Sequence, residues 1–105
     1  MADKTLAAVA TDILTTELRE FDLPEIGPDD GLMQIEAAGI CGSDWRTYQG
    51  TKTPRIMGHE NVGRVAKIGA IAAKRWKLKE GDRITLEEYI PCGQCKMCRS
   101  GDFRL

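Results

Sequence analysis

Gly39-Ile40-Cys41-Gly42-Ser43-Asp44 and, further on, Gly58-His59-Glu60-Asn61-Val62-Gly63 are the stretches on which the reading of this chain turns. The first carries a thiol and the second the chain's single histidine. Taken one at a time, either would read as a packing or surface residue, since free cysteine is among the most buried residue types. Their surroundings change that reading. A thiolate and an imidazole together are a common donor pair for catalytic zinc. Both are bracketed by glycines, which permit sharp turns and close approach. Each also has a carboxylate nearby, Asp44 and Glu60, and a metal-bound histidine usually needs one to fix its tautomer.

The remaining three of the four cysteines lie in Pro91-Cys92-Gly93-Gln94-Cys95-Lys96-Met97-Cys98, at a strict C-x2-C-x2-C spacing. Thiolates this close in a tight loop can converge on one ion, and zinc wants four ligands in a tetrahedron. Three are in view, so the fourth would come from elsewhere in the chain, from solvent, or from residues that are absent.

The composition bounds the function classes. A chain of 105 residues forms one domain with a modest core. A formal net charge of -1 gives no pull toward nucleic acid or an anionic membrane. The run Lys74-Arg75-Trp76-Lys77-Leu78-Lys79 interleaves cations with an aromatic, but without a second basic patch it reads as a solvated loop whose Trp76 and Leu78 tuck inward. No apolar run approaches the roughly 20 residues of a membrane span. Met1-Ala2-Asp3-Lys4 and the short apolar stretch interrupted by Asp12 make a poor signal peptide. The expected compartment is therefore cytoplasmic, where thiols stay reduced and clustered cysteines favour metal over disulfide.

The hydropathy pattern is mainly β. Thr5 to Ala10 and Ile13 to Asp22 read as strands about a turn at Thr11-Asp12. Leu23 to Gly31 has loop composition. Leu32 to Ala38 alternates with period two, which predicts a half-buried strand with Met33, Ile35 and Ala37 on one side. Ser43 to Gln49 is expected to be a short helix with Ser43 as N-cap. Glu60 to Ile68 and Arg83 to Tyr89 read as strands, the second after a turn at Glu80-Gly81-Asp82. Trp45 and Tyr48 either border a substrate pocket or pack against the strands. Several short strands at this spacing argue for a barrel or folded sheet. No Gly-x-Gly-x-x-Gly or Walker loop occurs, so nothing here cradles a nucleotide phosphate.

The Gly39–Asp44 segment, the Gly58-His59-Glu60 triplet with Val62-Gly63, Gly81-Asp82-Arg83 and the triple-cysteine loop occur in this order. Together they resemble the N-terminal half of a zinc-dependent alcohol dehydrogenase, of the medium-chain dehydrogenase/reductase superfamily. The resemblance covers nearly the whole chain and implies a GroES-like β-barrel with short helical segments over residues 1–105, with no Rossmann domain in this chain. It implies a catalytic zinc held by Cys41, His59 and a third residue far downstream that this chain lacks, with Glu60 close to the metal and sometimes a ligand. It implies that Ser43 hydrogen-bonds a substrate hydroxyl and passes on its proton, and that Asp44 orients the histidine. It implies a structural zinc on four cysteines, of which Cys92, Cys95 and Cys98 match the first three. The substrate would be a small alcohol or polyol, the hydride acceptor NAD or NADP bound by the parent's missing coenzyme domain, and the parent a homodimer or homotetramer. Zinc lowers the pKa of bound water from about 15.7 to about 7, a preference of about 12 kcal/mol for the charged form, and a bound alcohol should gain on a similar scale.

The family's fourth structural cysteine would fall one position beyond Leu105. The chain is therefore expected to be a fragment ending inside the structural-zinc loop, inactive alone, with that loop weakly loaded or empty. The competing reading is a stand-alone zinc module, with one ion held by Cys92, Cys95 and Cys98 plus His59 or Cys41. A third is a metal-free interaction barrel, against which the retained Cys41, His59 and Glu60 argue.

Overall fold

The structure is a computed structural model that describes residues 4–104. The reading of Met1-Ala2-Asp3 as no signal sequence lies outside those residues, as does Leu105. The chain runs through strands β1 (Lys4–Asp12), β2 (Thr15–Asp22) and β3 (Gly31–Gly39), helix α1 (Gly42–Gly50), strands β4 (Arg55–Ile56) and β5 (Glu60–Ile68), helix α2 (Ala70–Trp76), strand β6 (Arg83–Thr85) and helix α3 (Lys96–Ser100). The mainly β architecture is as expected. Its strands divide between two antiparallel three-stranded sheets, in the orders β2-β1-β4 and β3-β5-β6.

Several boundaries differ from the sequence reading, each for a local reason. The β1–β2 turn is at Ile13-Leu14, with Leu14 in the left-handed region at φ 52°. Asp12 sits at the first turn position and its Oδ1 accepts the Ile13 N–H at 2.7 Å, so the aspartate marks where the turn starts and not its middle. Helix α1 has Cys41 as N-cap, because the Asp44 carboxylate accepts the Cys41 N–H at 3.1 Å and Ser43 already lies in the first turn. The basic run contributes its first residues to α2, whose opening N–H groups at Ile71 and Ala72 bond to the Pro28 carbonyl at 3.0 and 3.1 Å. That partner is distant in sequence, so the helix start carries no local signal. Trp76 does not tuck inward but stays 49% exposed. Strand β6 ends at Thr85, and β4 and α3 are too short to show a period.

Strand β3 is not half-buried. Ile35 is 47% exposed, and register shifts interrupt the β3–β5 ladder between Leu32 and Met33 and between Ile35 and Ala37. The fully buried apolar core among the described residues is Val9, Ala10, Val65 and Ala72. The accessible surface is 8118 Å2, against about 5,800 Å2 for a folded chain of this mass. The radius of gyration is 15.9 Å against about 13 Å for a compact domain, with extents of 43 × 42 × 20 Å. The molecule is a plate, and Leu6, Leu18, Ile40, Ile56 and Ile90 stand exposed on it.

Strand β5 lies close against β3 at Gly63. A Cβ there would lie 2.0 Å from the Gln34 carbonyl oxygen and 2.9 Å from its carbon. Both contacts are backbone, so no rotamer change relieves them. Gly63→Ala is expected to cost about 3 kcal/mol or more. A urea titration followed by circular dichroism checks this, with an unchanged midpoint as the contrary result.

Candidate metal centres

The two sequence stretches meet through one buried carboxylate. Asp44, 7% exposed, sits in the first turn of α1. Its Oδ2 accepts the Cys41 N–H at 3.1 Å and lies 3.2 Å from His59 Nδ1, and its Oδ1 accepts the Gly58 N–H at 3.3 Å. A carboxylate can only accept here, so the ring is protonated at Nδ1 and presents Nε2 forward. Gly58 has φ +88°, a left-handed backbone that turns its N–H toward Asp44. The result brings Cys41 Sγ to 3.1 Å from His59 Nε2 and 3.0 Å from Ser43 Oγ. Cys41, Asp44 and His59 offer donor atoms that all lie within 4.8 Å of one another.

The electrostatics follow from these contacts. The Ser43 hydroxyl and backbone N–H hold the Cys41 thiol below its usual range, with smaller help from the Asp44 N–H and His59 against partial burial. Burial works to raise the Asp44 carboxyl, but the Cys41 and Gly58 N–H groups and the His59 ring outweigh it and lower the pKa. Burial likewise opposes charge on His59. Its hydrogen bond to Asp44 and the charges of Asp44, Cys41 and Glu88 reverse that and raise it. A thiol whose ionisation is favoured, beside an oriented imidazole, is the donor chemistry zinc requires, so these residues fit the metal.

Glu60 was expected beside this centre. It opens β5 opposite Gly39, and its Oε2 lies 3.2 Å from where a Gly39 Cβ would stand. It is outside the converging set. The carboxylate that does reach the histidine is Glu88, whose Oε2 is 3.0 Å from His59 Nε2. The sequence pattern places Glu87-Glu88 within a strand from Arg83 to Tyr89 and so gives no signal for this contact; β6 ends at Thr85, and Glu88 reaches His59 from the exposed segment after it. His59, Glu60, Asn61, Glu87, Glu88 and Arg104 border an open cleft of about 480 Å3. Trp45 and Tyr48 do not line it. Their rings pack at 5.7 Å, and the Tyr48 hydroxyl donates to the Leu14 carbonyl at 3.0 Å, tying α1 to the β1–β2 turn.

Cys92, Cys95 and Cys98 form the second group, with all three sulfurs within 4.8 Å of one another and no disulfide. The Cys92 and Cys98 sulfurs are 3.8 Å apart. A tetrahedron with 2.3 Å zinc–sulfur arms has edges of about 3.8 Å, so the spacing fits zinc. The Gln94 and Cys95 N–H groups donate to Cys92 Sγ at 3.4 and 3.3 Å, and the Cys98 N–H to Cys95 Sγ at 3.4 Å. Neither His59 nor Cys41 joins this group, which leaves the stand-alone module without the fourth ligand it was expected to borrow.

A family model for the alcohol dehydrogenase GroES-like domain matches residues 27–105. The chain belongs to that family. It is 42% identical over 90 residues to a probable alcohol dehydrogenase of Mycobacterium tuberculosis, an alignment covering 83% of this chain and 24% of that protein. It is 36% identical over 101 residues to an erythritol/L-threitol dehydrogenase of Mycolicibacterium smegmatis, covering 84% and 28% respectively. Among solved structures, an alcohol dehydrogenase from Thermus sp. ATN1 superposes with a TM-score of 0.81 at 32% identity, over 95% of this chain and 29% of that one. The chain thus spans about a quarter of the length of these curated relatives. No helix among the described residues is long and apolar enough to cross a membrane.

Two outcomes follow for the metal-free chain. The raised His59 pKa contributes stability that is full below its ordinary value of 6.5 and is lost as pH rises through the raised value. The lowered Asp44 pKa contributes stability that is present above 3.8 and lost as pH falls. Urea midpoints should therefore fall on both sides of those limits, and Asp44→Asn should reduce the decline on the alkaline side. NMR titration should also show its His59 pKa moving down; an unmoved pKa contradicts the assignment. In the cysteine loop, the Gln94 and Cys95 N–H groups and then the neighbouring thiols pull Cys92 down to about 7. On Cys98 the Gly93 N–H acts downward, but burial and the Cys95 and Cys92 sulfurs outweigh it and raise the thiol. Iodoacetamide at pH 7 should thus alkylate Cys92 before Cys98, read by mass spectrometry, and zinc should suppress both reactions.

Proposed function

We propose that this chain is the N-terminal, zinc-binding catalytic domain of a nicotinamide-dependent alcohol or polyol dehydrogenase. The observation that carries this is the convergence of Cys41, His59 and Asp44 in a chain of the alcohol dehydrogenase GroES-like family. Cys41 Sγ and His59 Nε2 would hold the catalytic zinc, and Cys92, Cys95 and Cys98 would hold three corners of a structural one. Bound zinc supplies a Lewis acid that brings the pKa of an attached alcohol toward neutral.

The chain's own residues do the rest. Asp44 keeps the His59 ring turned so that Nε2, and never Nδ1, faces the cleft. Ser43 Oγ, beside Cys41 Sγ, accepts the substrate hydroxyl proton and hands it on toward solvent along the open side of α1. NAD or NADP, when bound, would supply the hydride acceptor, so the alcohol would lose one hydride from carbon and one proton from oxygen, two electrons and two protons in all, as it becomes a carbonyl. Glu60 stands at the cleft edge, where it can meet the ligand sphere or a second substrate hydroxyl. The coenzyme is held by parts of the parent enzyme beyond residues 4–104, and residues 1–105 act as one domain. The same reading takes the cytoplasm as compartment, supported by four unpaired cysteines, a homodimer or homotetramer as assembly, and no nucleic-acid partner.

The test is a chimera in which this chain replaces the matching segment of the M. tuberculosis relative. Zinc-loaded, it should oxidise alcohols with NAD or NADP, while the 105-residue chain alone should not. His59→Ala should abolish turnover, and Ser43→Ala should lower kcat about 100-fold. A folded, zinc-loaded chimera with no turnover across an alcohol and polyol panel would refute the reading.

A further inference from the structure

We propose that Arg46, Lys52 and Arg55 form a binding pocket for a small-molecule phosphomonoester, apart from both cysteine centres. The pocket shares no residue with either group of metal donors, and its assignment stands whether or not a metal binds at Cys41 and His59.

Three observations carry it. First, the fold gathers cations that form no run in the sequence. Arg46 stands on α1, Lys52 in the connector after it and Arg55 in β4, and together they line an open cleft of about 500 Å3. Thr47, Thr51 and Thr53 make up much of the remaining wall, and no carboxylate borders it. Second, these cations lack a counter-charge. Arg64, Arg75, Lys79, Arg83 and Arg104 each lie within ion-pair distance of a carboxylate, whereas among the described residues Arg46, Lys52 and Arg55 reach none. Three cations around one cleft raise its potential, and a bound anion relieves their repulsion. Third, the backbone that carries them is tied down. The Thr51 N–H donates to the Thr47 carbonyl at 2.8 Å and closes α1. The Thr51 hydroxyl donates to the Thr53 carbonyl at 2.9 Å and accepts the Thr53 N–H at 3.2 Å, which turns the chain tightly around Lys52. Arg55 pairs with the fully buried Ala10 across the β1–β4 ladder. Little backbone ordering is therefore left for binding to supply.

The ligand follows from the charges. The C-terminal end of α1 opposes an anion with about half a charge, which three full charges outweigh. A phosphomonoester carries about −1.5 to −2 at neutral pH and offers three acceptor oxygens, two of which a guanidinium can meet at once. A carboxylate brings one charge and would leave most of the cluster unpaired. A nucleic-acid strand needs a basic track, and a chain of net charge -1 with one concave cluster provides a pocket instead.

The test is an NMR titration of the isotope-labelled 105-residue chain with glycerol phosphate and, separately, with inorganic phosphate, at an ionic strength held at about 0.15 M. The ester should saturate with a Kd of about 1 mM or lower, shifting amides between Arg46 and Arg55 and leaving those of Lys74 and Lys77 in place. Arg55→Gln and Lys52→Gln should each weaken binding about tenfold, while Lys74→Gln, at an exposed cation outside the cleft, should not. Arg55→Lys should fall between, because it keeps the charge and loses the planar fork. An undisturbed spectrum outside the cleft establishes that each variant is folded. Absence of saturable shifts, or equal weakening by Lys74→Gln, would overturn the pocket. Tighter binding of inorganic phosphate than of the ester, or of a single-stranded oligonucleotide than of either, would overturn the small-molecule ester as its ligand.

Discussion

The Asp44 carboxylate is the constraint on which the centre depends. It is the one charged group buried among the described residues, and its three partners come from two separate stretches of chain. The Cys41 N–H fixes where α1 begins, the Gly58 N–H fixes the turn into β5, and the His59 ring fixes which nitrogen faces the cleft. A buried carboxylate with fewer donors would carry a large desolvation penalty, so the three contacts form together or not at all. One residue thereby sets helix register, loop path and imidazole tautomer at once.

The chemistry-bearing residues were legible in the sequence because their spacing is local. Cys41-Gly42-Ser43-Asp44 places thiol, hydroxyl and carboxylate within one helical turn, and Cys92, Cys95 and Cys98 converge within one loop. The long antiparallel strands β1 and β5 were legible for the same reason: their length exceeds the ambiguity of a single period. What escaped notice depends on contacts across the chain. The start of α2 rests on the Pro28 carbonyl, β6 stops at Thr85 ahead of the segment whose Glu87 and Glu88 reach Arg104 and His59, and Glu88 acquires its place only in the folded chain. Ile35 alternates correctly with its neighbours, yet the register shifts in β3 and the thinness of the plate leave it in solvent.

The surface of the plate follows from the same geometry. Among the described residues only Val9, Ala10, Val65 and Ala72 are buried apolar side chains, so most of the apolar surface of the two sheets stays open. The excess over a compact chain is about 2,300 Å2, the size of a substantial protein–protein interface. Ile90, 98% exposed immediately before the cysteine loop, lies on this uncovered surface. Folding of the isolated chain therefore leans on local turns, the Asp44 contacts and the sheet ladders more than on a hydrophobic interior.

The division of labour between Glu87 and Glu88 has a consequence for how the molecule tolerates change. Glu87 and Glu88 border the same cleft, yet Glu87 is claimed by Arg104 beyond the cysteine loop while Glu88 reaches the histidine. Neither acid lies in a strand, since β6 ends at Thr85 and Glu88 sits in a bend. Each is held by its own partner, so a change of length between Thr85 and Glu87 would have to be absorbed by both contacts at once, and the segment before the cysteine loop ties together the histidine and the chain beyond that loop.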